Sequence, residues 1–361
     1  MKIAIVHDAL CVSGGAERFV LWLAKAFPDA PIFTSLYLPD STFPEFKDLK
    51  INSLMTGGPI KTERQFKLLY PYWLWKFRQL DFSAYDIVLS SSTYLAKFIN
   101  TRQPTRHYGY LYAPFRLLWR PESYTRASLP TPGPLAPIIK KAVPYFRNWD
   151  IKNTQRLDKI ATSCQNIATQ IETIYKTKPT IIHPPVSLKD YSLATTEGAY
   201  YLTVSRLVYH KRIDVAIEAC NRLQRPLIVV GDGPERQSLE RIAGETIQFV
   251  GRVDDVHLRN LYLNAKALLF PSYEDYGLVP LESQASGRPV LAFGAGGALE
   301  TVLENETGLF FPRQDAESLA ICILAFENRD FDPVRIRSWV NQFDETNYFK
   351  KIFNFMGMDQ E

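Results

Sequence analysis

Short apolar runs bounded by turn residues alternate along the chain with segments of helical period. This is the pattern of consecutive βα units, in which buried parallel strands read as nearly unbroken apolar runs. In the first half, residues 2–6 (KIAIV) predict a strand and residues 14–27 (GGAERFVLWLAKAF) a loop entering a helix. Further strands are predicted at 86–92, 107–112, 160–164 and 180–186. Residues 187–198 have the composition of a linker, after which the pattern restarts. A strand at 199–207 precedes a helix at 212–223, on which Ile213, Ile217, Cys220 and Leu223 share one face. Residues 226–235 read as a strand running into a glycine turn, with more strands at 247–253, 265–272 and 289–294. The prediction is an α/β protein of two facing Rossmann-like domains, 1–186 and 199–342, with an interdomain cleft at the carboxyl ends of their strands. Residues 343–361 carry a last helix, expected to return to the N-terminal domain.

Composition narrows the class. A chain of 361 residues suits two domains, and 46% hydrophobic with 22% charged residues is ordinary for a soluble globular protein. No run approaches the roughly 18 uninterrupted apolar residues that a membrane span needs. The opening MKIAIVHDAL has a single Lys, and His7 and Asp8 interrupt its apolar stretch, so it reads as a first strand and not a secretory signal. Cys11, Cys164, Cys220 and Cys322 stand far apart and form no CxxC pair, the usage of isolated reduced thiols in a cytosolic protein. His7, His183, His210 and His257 likewise lack metal-ligand spacing. The net charge of +4 conceals an asymmetry: residues 1–185 hold 24 Lys+Arg against 13 Asp+Glu, and the remainder 18 against 25. A basic half argues for an anionic partner.

Candidate chemistry clusters just past predicted strand ends in the second half. Arg206 and Lys211 follow the strand at 199–207, where two cations could grip a diphosphate, Arg by its planar fork and Lys as a point charge. A solvated turn would look the same. In PSYEDYGLVPLESQASGRPV, Glu274 and Glu282 stand eight apart across Gly277 and Pro280. They could accept hydrogen bonds from the hydroxyls of a polyhydroxylated ligand, although Glu282 is also what a helix dipole favours in a first turn. The amides between them, at a helix N-terminus, could meet a phosphate. The glycine turns Gly14-Gly15, Gly231-Asp232-Gly233 and Gly296-Gly297 could each present amides to an anion or simply be tight βα turns.

Taken in order, S-R-L-x4-K-R (205–212), V-V-G-D-G-P-E (229–235), F-V-G-R-V (249–253), F-P-S-x-E-x-x-G-L-V-P-L-E (270–282), G-x-P-V-L-A (287–292), G-G-x-x-E-T-V (296–302) and T-G-L-F-F (307–311) resemble family 4 of the retaining glycosyltransferases. G-G-A-E-R (14–18) extends the likeness into the first half more loosely. The resemblance implies the GT-B fold and metal-independent transfer from a nucleotide-sugar donor, with no cofactor. It implies that Arg206 and Lys211 neutralise the diphosphate, that Glu274 binds the sugar hydroxyls, and that Glu282 binds the ribose. Amides of Gly277, Leu278 and Val279 would hold sugar and phosphate, Gly15 would approach the phosphate, and Gly231 and Val253 would fall among the donor-binding positions. Y-A-P-F-R-L-L-W (112–119) and L-V-Y-H-K-R-I-D (207–214) look most like the branch of bacterial O-antigen and exopolysaccharide mannosyltransferases. That implies mannose from GDP-mannose and a lipid-linked or cell-surface glycan acceptor, with a UDP-sugar donor or a non-catalytic GT-B binding subunit as alternatives. Tyr112 stands where that branch usually has His. A phenol with a pKa near ~10 donates a hydrogen bond but is a poor base at neutral pH. His107, five residues earlier, could replace that histidine in part or be a structural strand residue.

Residues 61–78 mix five cations with six aromatics, and 137–149 (PIIKKAVPYFRNW) have the same character. Rings at headgroup depth beside cations suit an anionic membrane surface. They also suit packing with a solvated cationic face, while the donor-site series argues against nucleic acid. The expected location is the cytoplasm, peripheral on the inner face of the cell membrane.

Overall fold

The computed structural model describes residues 1–58, 60, 65–66, 69–119 and 136–358. Residues 61–64 and 67–68 of the first basic aromatic stretch lie outside the described residues. The chain divides into two compact units, Met1–Pro184 with Phe349–Glu361, and Pro185–Tyr348. The predicted linker stretch falls in the second unit, where Leu188–Asp190 form a short 3-10 turn.

In the first unit seven strands, among the described residues, form a parallel sheet in the order β3-β2-β1-β4-β5-β6-β7. They are β1 (Ile3–His7), β2 (Ile32–Tyr37), β3 (Ile51–Thr56), β4 (Ile87–Ser92), β5 (Arg106–Leu111), β6 (Lys159–Thr162) and β7 (Thr180–Ile181). Helices α1 (Gly15–Ala26), α2 (Tyr70–Phe77), α3 (Ala136–Thr154) and α4 (Gln165–Tyr175) accompany it. Every residue of β1 and β4 is buried, which is why both read as unbroken apolar runs, ending in His7 in β1 and in three serines in β4. β2 and β3 were not anticipated, because Thr, Ser and Asn break their apolar pattern. The strand expected at 180–186 stops at Ile181, since Pro184 and Pro185 have no amide to give to a ladder.

The second unit repeats the plan with six strands in the order β10-β9-β8-β11-β12-β13. These are β8 (Tyr200–Val204), β9 (Leu227–Val230), β10 (Ile247–Gly251), β11 (Ala265–Phe270), β12 (Val290–Phe293) and β13 (Gly308–Phe311). Its longer helices are α5 (Ile213–Leu223), α6 (Arg236–Ile242), α7 (Asp255–Asn264), α8 (Leu278–Ala285), α9 (Ala316–Glu327) and α10 (Pro333–Val340). One core layer joins α5 and α9 to the sheet through Ile217, Leu269, Leu291 and Ile323. On the other face Tyr262, Leu268, Val290 and Ala298 pack together.

The last helix, α11 (Glu345–Met356), carries Phe349 and Phe353 one turn apart. Their rings meet Trp22 at 6.2 Å and Phe27 at 5.7 Å, both on or next to α1, and Phe355 meets Tyr108 of β5 at 5.5 Å. Lys159 donates to the Phe355 carbonyl at 2.9 Å.

A buried ion pair ties together the loop elements of the first unit. Lys97 lies 2.6 Å from Asp150 of α3, with both side chains at most 1% exposed. Lys97 also donates to Thr154 and to the Tyr175 hydroxyl, both at 3.1 Å. Asp150 in turn accepts from Tyr175 at 2.8 Å and from Trp119 at 2.7 Å. Removing one charge would strand the other in a low-dielectric interior. Lys97→Met is therefore expected to destabilise the first unit by about 3–5 kcal/mol. Replacing Lys97 and Asp150 together by apolar residues should cost less, and denaturant unfolding of the two variants checks the difference.

Candidate functional site

Each sheet reverses its strand order once, between β1 and β4 and between β8 and β11. At such a point the loops leaving the carboxyl ends of neighbouring strands turn apart, and the crevice between them is where ligands bind in open α/β sheets. Arg206 follows β8 directly, Lys211 lies in the 3-10 turn Tyr209–Lys211, and Glu274 follows β11. The predicted cations and the first predicted carboxylate thus converge on the reversal of the second sheet. Lys211 Nζ lies 2.5 Å from Glu274 Oε1, with the side chains 19% and 24% exposed. Arg206 is exposed and, among the described residues, forms no ion pair.

Glycines make this geometry possible by removing atoms. Gly231 has φ +127°, its amide donates to the Gly251 carbonyl at 2.8 Å, and a Cβ there would sit 1.8 Å from the Ser205 carbonyl oxygen. A Cβ on Gly233 would come 2.2 Å from the Leu207 carbonyl oxygen, while the Leu207 amide donates to Asp232 at 3.0 Å. The Gly231-Asp232-Gly233 turn therefore packs against the backbone on both sides of Arg206. Gly296 and Gly297 do the same for Glu274. The Gly297 amide donates to the Glu274 carbonyl at 2.8 Å, and a Cβ on Gly297 would lie 2.2 Å from the Tyr276 carbonyl oxygen. Of the alternatives the sequence left open for these two turns, close backbone packing is the one the contacts explain.

Gly277 is the N-cap of α8 at φ +86°, a left-handed conformation that favours glycine. No side chain caps this end, and the first-turn amides, those of Leu278 and Val279 among them, have no acceptor within the helix. Glu282 stands one turn further on, where Glu282 Oε2 accepts from the Tyr262 hydroxyl at 2.8 Å. Val253 is half-buried and packs against the core beneath α7 and β11. Three contributors escaped the sequence reading. Ser272 donates to Glu274 Oε1 at 3.3 Å, Tyr262 holds Glu282, and Gln314 donates to the Pro271 carbonyl at 2.7 Å. Ser272 lies inside the F-P-S-x-E motif, whereas nothing in the sequence pairs Tyr262 with Glu282 or Gln314 with Pro271.

In the first unit Gly15 opens α1 and is exposed, with nothing within 4 Å of where its Cβ would be. The Tyr112 hydroxyl meets Ser91 Oγ at 2.8 Å and donates to the Ala16 carbonyl at 3.1 Å, so Tyr112 tethers the first turn of α1 to β4. His7, at the end of β1, bonds the Ser91 carbonyl and hydroxyl at 3.1 Å, and its Nε2 lies 3.9 Å from Glu17. Burial pushes the His7 imidazole down, but Glu17, Asp8 and the Ser91 carbonyl together more than compensate and leave it raised overall. His107 sits near the opposite end of β5 from Tyr112, bonded to Ser90 Oγ at 3.0 Å. Burial pushes it down to about 3, so it is neutral and structural, and it takes no place beside Tyr112. No group of three or more His, Cys, Asp or Glu among the described residues is arranged to hold a metal ion.

Residues 188–337 match the sequence profile of the family described as "Glycosyl transferases group 1". Over 201 residues the chain is 28% identical to the glycogen synthase of Mycobacterium tuberculosis, covering 51% of this chain and 48% of that protein. The chain spans about half the length of such curated relatives. Over its whole length it superimposes on Anabaena HepE, solved in complex with UDP and glucose, with a TM-score of 0.74, 18% identity and 99% of each chain covered. It also superimposes on the lipopolysaccharide outer core galactosyltransferase WaaB with a TM-score of 0.66, 16% identity and 99% of each chain covered. At these identities the likeness establishes the fold, which is GT-B: two Rossmann-like α/β domains.

Gly231→Ala places a methyl group on the Ser205 carbonyl at a left-handed φ, and should destabilise the second unit by about 2 kcal/mol or more. Thermal unfolding and the loss of any anion bound at Arg206 would both register it. His107 binds a proton more readily in the unfolded chain, so the stability it confers is complete above its ordinary pKa and declines as pH falls toward 3. By pH 5 the loss is about 2 kcal/mol. A His107→Asn variant should flatten that part of the acid limb of Tm against pH.

Proposed function

We propose that the chain is a retaining glycosyltransferase that moves a hexose from a nucleoside-diphosphate sugar, a UDP-sugar ahead of GDP-mannose, onto a glycan acceptor. The observation that carries this reading is the convergence of Arg206, Lys211 and Glu274 at the β8/β11 reversal. The uncapped N-terminus of α8 follows Glu274 within a few residues. Transfer breaks the bond between the sugar's anomeric carbon and the diphosphate, and the electron pair leaves with the phosphate. Arg206 and Lys211 would stabilise that charge as it develops, and the α8 amides would add fixed dipoles. Glu274, already the hydrogen-bond partner of Lys211, would orient the sugar through its hydroxyls, and Glu282 would take the ribose. The acceptor hydroxyl would attack the face that the diphosphate leaves and pass its proton to the departing phosphate oxygen, so catalysis is mainly positioning and charge stabilisation.

A uridine donor is preferred because HepE was solved with UDP and glucose, and WaaB is a galactosyltransferase by name. The mannose reading rests only on the motifs at 112–119 and 207–214. The acceptor is a lipid-linked or cell-surface glycan, which puts the chain at the inner face of the membrane as a peripheral protein.

Calorimetric titration with UDP and with GDP, in EDTA, is the direct test. UDP is expected to bind and GDP to bind at least tenfold more weakly. The reverse preference would restore GDP-mannose and keep the site. Lys211→Ala and Arg206→Ala should each lower turnover of a nucleotide-sugar donor by about 10²–10³. Full activity in both would remove the diphosphate-clamp role, and binding of neither nucleotide would favour a non-catalytic subunit.

A further inference from the structure

The aromatic residues that the sequence concentrates in two segments of the first unit divide sharply between core and surface. On α2, Trp73 and Phe77 are fully buried, and Trp73 packs on Phe66. On the same helix Tyr72 and Trp75 point outward, 42% and 54% exposed, with rings 6.3 Å apart. On α3, Trp149 packs inward on Phe98 at 4.4 Å, while Tyr145 and Phe146 are 71% and 48% exposed with rings 5.7 Å apart. The helices are neighbours. Both pack on the 3-10 turn Ala96–Phe98, and Arg78, just past α2, donates to Asn153 of α3 at 3.4 Å. Burying these four rings in the protein would have satisfied their apolar surface; displaying them on adjacent helices leaves it available to another phase.

Charge identifies that phase. α2 contains no carboxylate, and the one in α3 is Asp150, which is buried and paired with Lys97. Lys141, Tyr145, Asn148 and Lys152 recur at helical spacing and are all exposed, and Lys76 lies 4.9 Å from the Trp75 ring. No described helix is long and apolar enough to cross a membrane. Amphipathic rings flanked by lysines on helices without an exposed carboxylate suit the headgroup layer of an anionic bilayer, where the ring body reaches acyl chains and the ammonium groups meet phosphates.

We propose that the outward faces of α2 and α3 form a docking surface for anionic phospholipid bilayers, with Tyr72, Trp75, Tyr145 and Phe146 as interfacial anchors and Lys76, Lys141 and Lys152 as the charge contacts. It gives residue-level form to the peripheral placement proposed above, but it stands on this surface alone and needs no turnover. The test is flotation of the full chain with phosphatidylcholine vesicles, with and without phosphatidylglycerol. Binding is expected only with the anionic lipid and should weaken as salt is raised, since exposed charges are screened within about 10 Å at 0.1 M salt. A Lys76→Glu/Lys141→Glu/Lys152→Glu variant leaves every ring in place and should bind anionic vesicles at least about tenfold more weakly. A Trp75→Ser/Tyr145→Ser variant should lose a comparable factor, with an unchanged Tm showing that it folds. No binding to anionic vesicles, equal binding to neutral ones, or undiminished binding by the lysine variant would each overturn the proposal. So would capture by a soluble polyanion such as heparin without vesicle binding. Calorimetric UDP binding that persists in these variants would separate failure here from failure of the transferase reading.

Discussion

The second unit is organised around the place where its strand order reverses. β8 and β11 run side by side and parallel, so both chains arrive at the same edge of the sheet and leave it in different directions. The loops leaving these two strands are thereby forced to border one crevice: Arg206 and Lys211 after β8, Glu274 after β11. The Lys211–Glu274 contact bridges the two exits. Partly exposed ion pairs contribute little to stability, so its importance is geometric. It holds an ammonium and a carboxylate in direct contact at the strand-order reversal.

Such a crevice holds its shape only if the loops cannot drift, and the means used is close backbone contact. Gly231 and Gly233 let one turn lie against the Ser205–Leu207 backbone, and Gly296 and Gly297 let another lie against Glu274 and Tyr276. The first unit reverses at β1 and β4 but spends its polar groups differently. Asp8 accepts from the amides of Thr93, Tyr94, Leu95 and Ala96 at 2.6–2.9 Å, and His7, Ser91 and Tyr112 anchor the start of α1. One reversal presents Arg206, the Lys211–Glu274 pair and the uncapped start of α8, while the other is stitched by internal hydrogen bonds around an exposed glycine.

The helices α2 and α3 show the same economy on the outer surface. Each buries one aromatic face against the turn that Asp8 holds, and each shows a second aromatic face to solvent. An aromatic-rich segment that was simply core would not do this. The buried Lys97–Asp150 pair leaves α3 without an exposed carboxylate beside its lysines.

Much of this was legible in the sequence. The run of apolar strands announced two parallel sheets because strands buried on both faces must be apolar throughout. The ordered motifs marked Arg206, Lys211 and Glu274 as candidates in loops past strand ends, and Glu282 in the helix that follows Glu274. β2 and β3 escaped because their Ser, Thr and Asn residues obscure the period. The pairing of Lys211 with Glu274, of Tyr262 with Glu282, and of Tyr112 with Ser91 and Ala16 could not be read, since each joins elements distant in sequence. The roles of Gly231 and Gly297 were open for the same reason: a glycine needed for close packing and one needed for an anion are identical in one dimension. The sequence by itself determined the fold class and the candidate site residues, through periodicity and motif order. Only tertiary structure decided which of those residues meet, which glycines are packing devices, and which aromatic rings reach solvent, because all three depend on neighbours that strand order brings together.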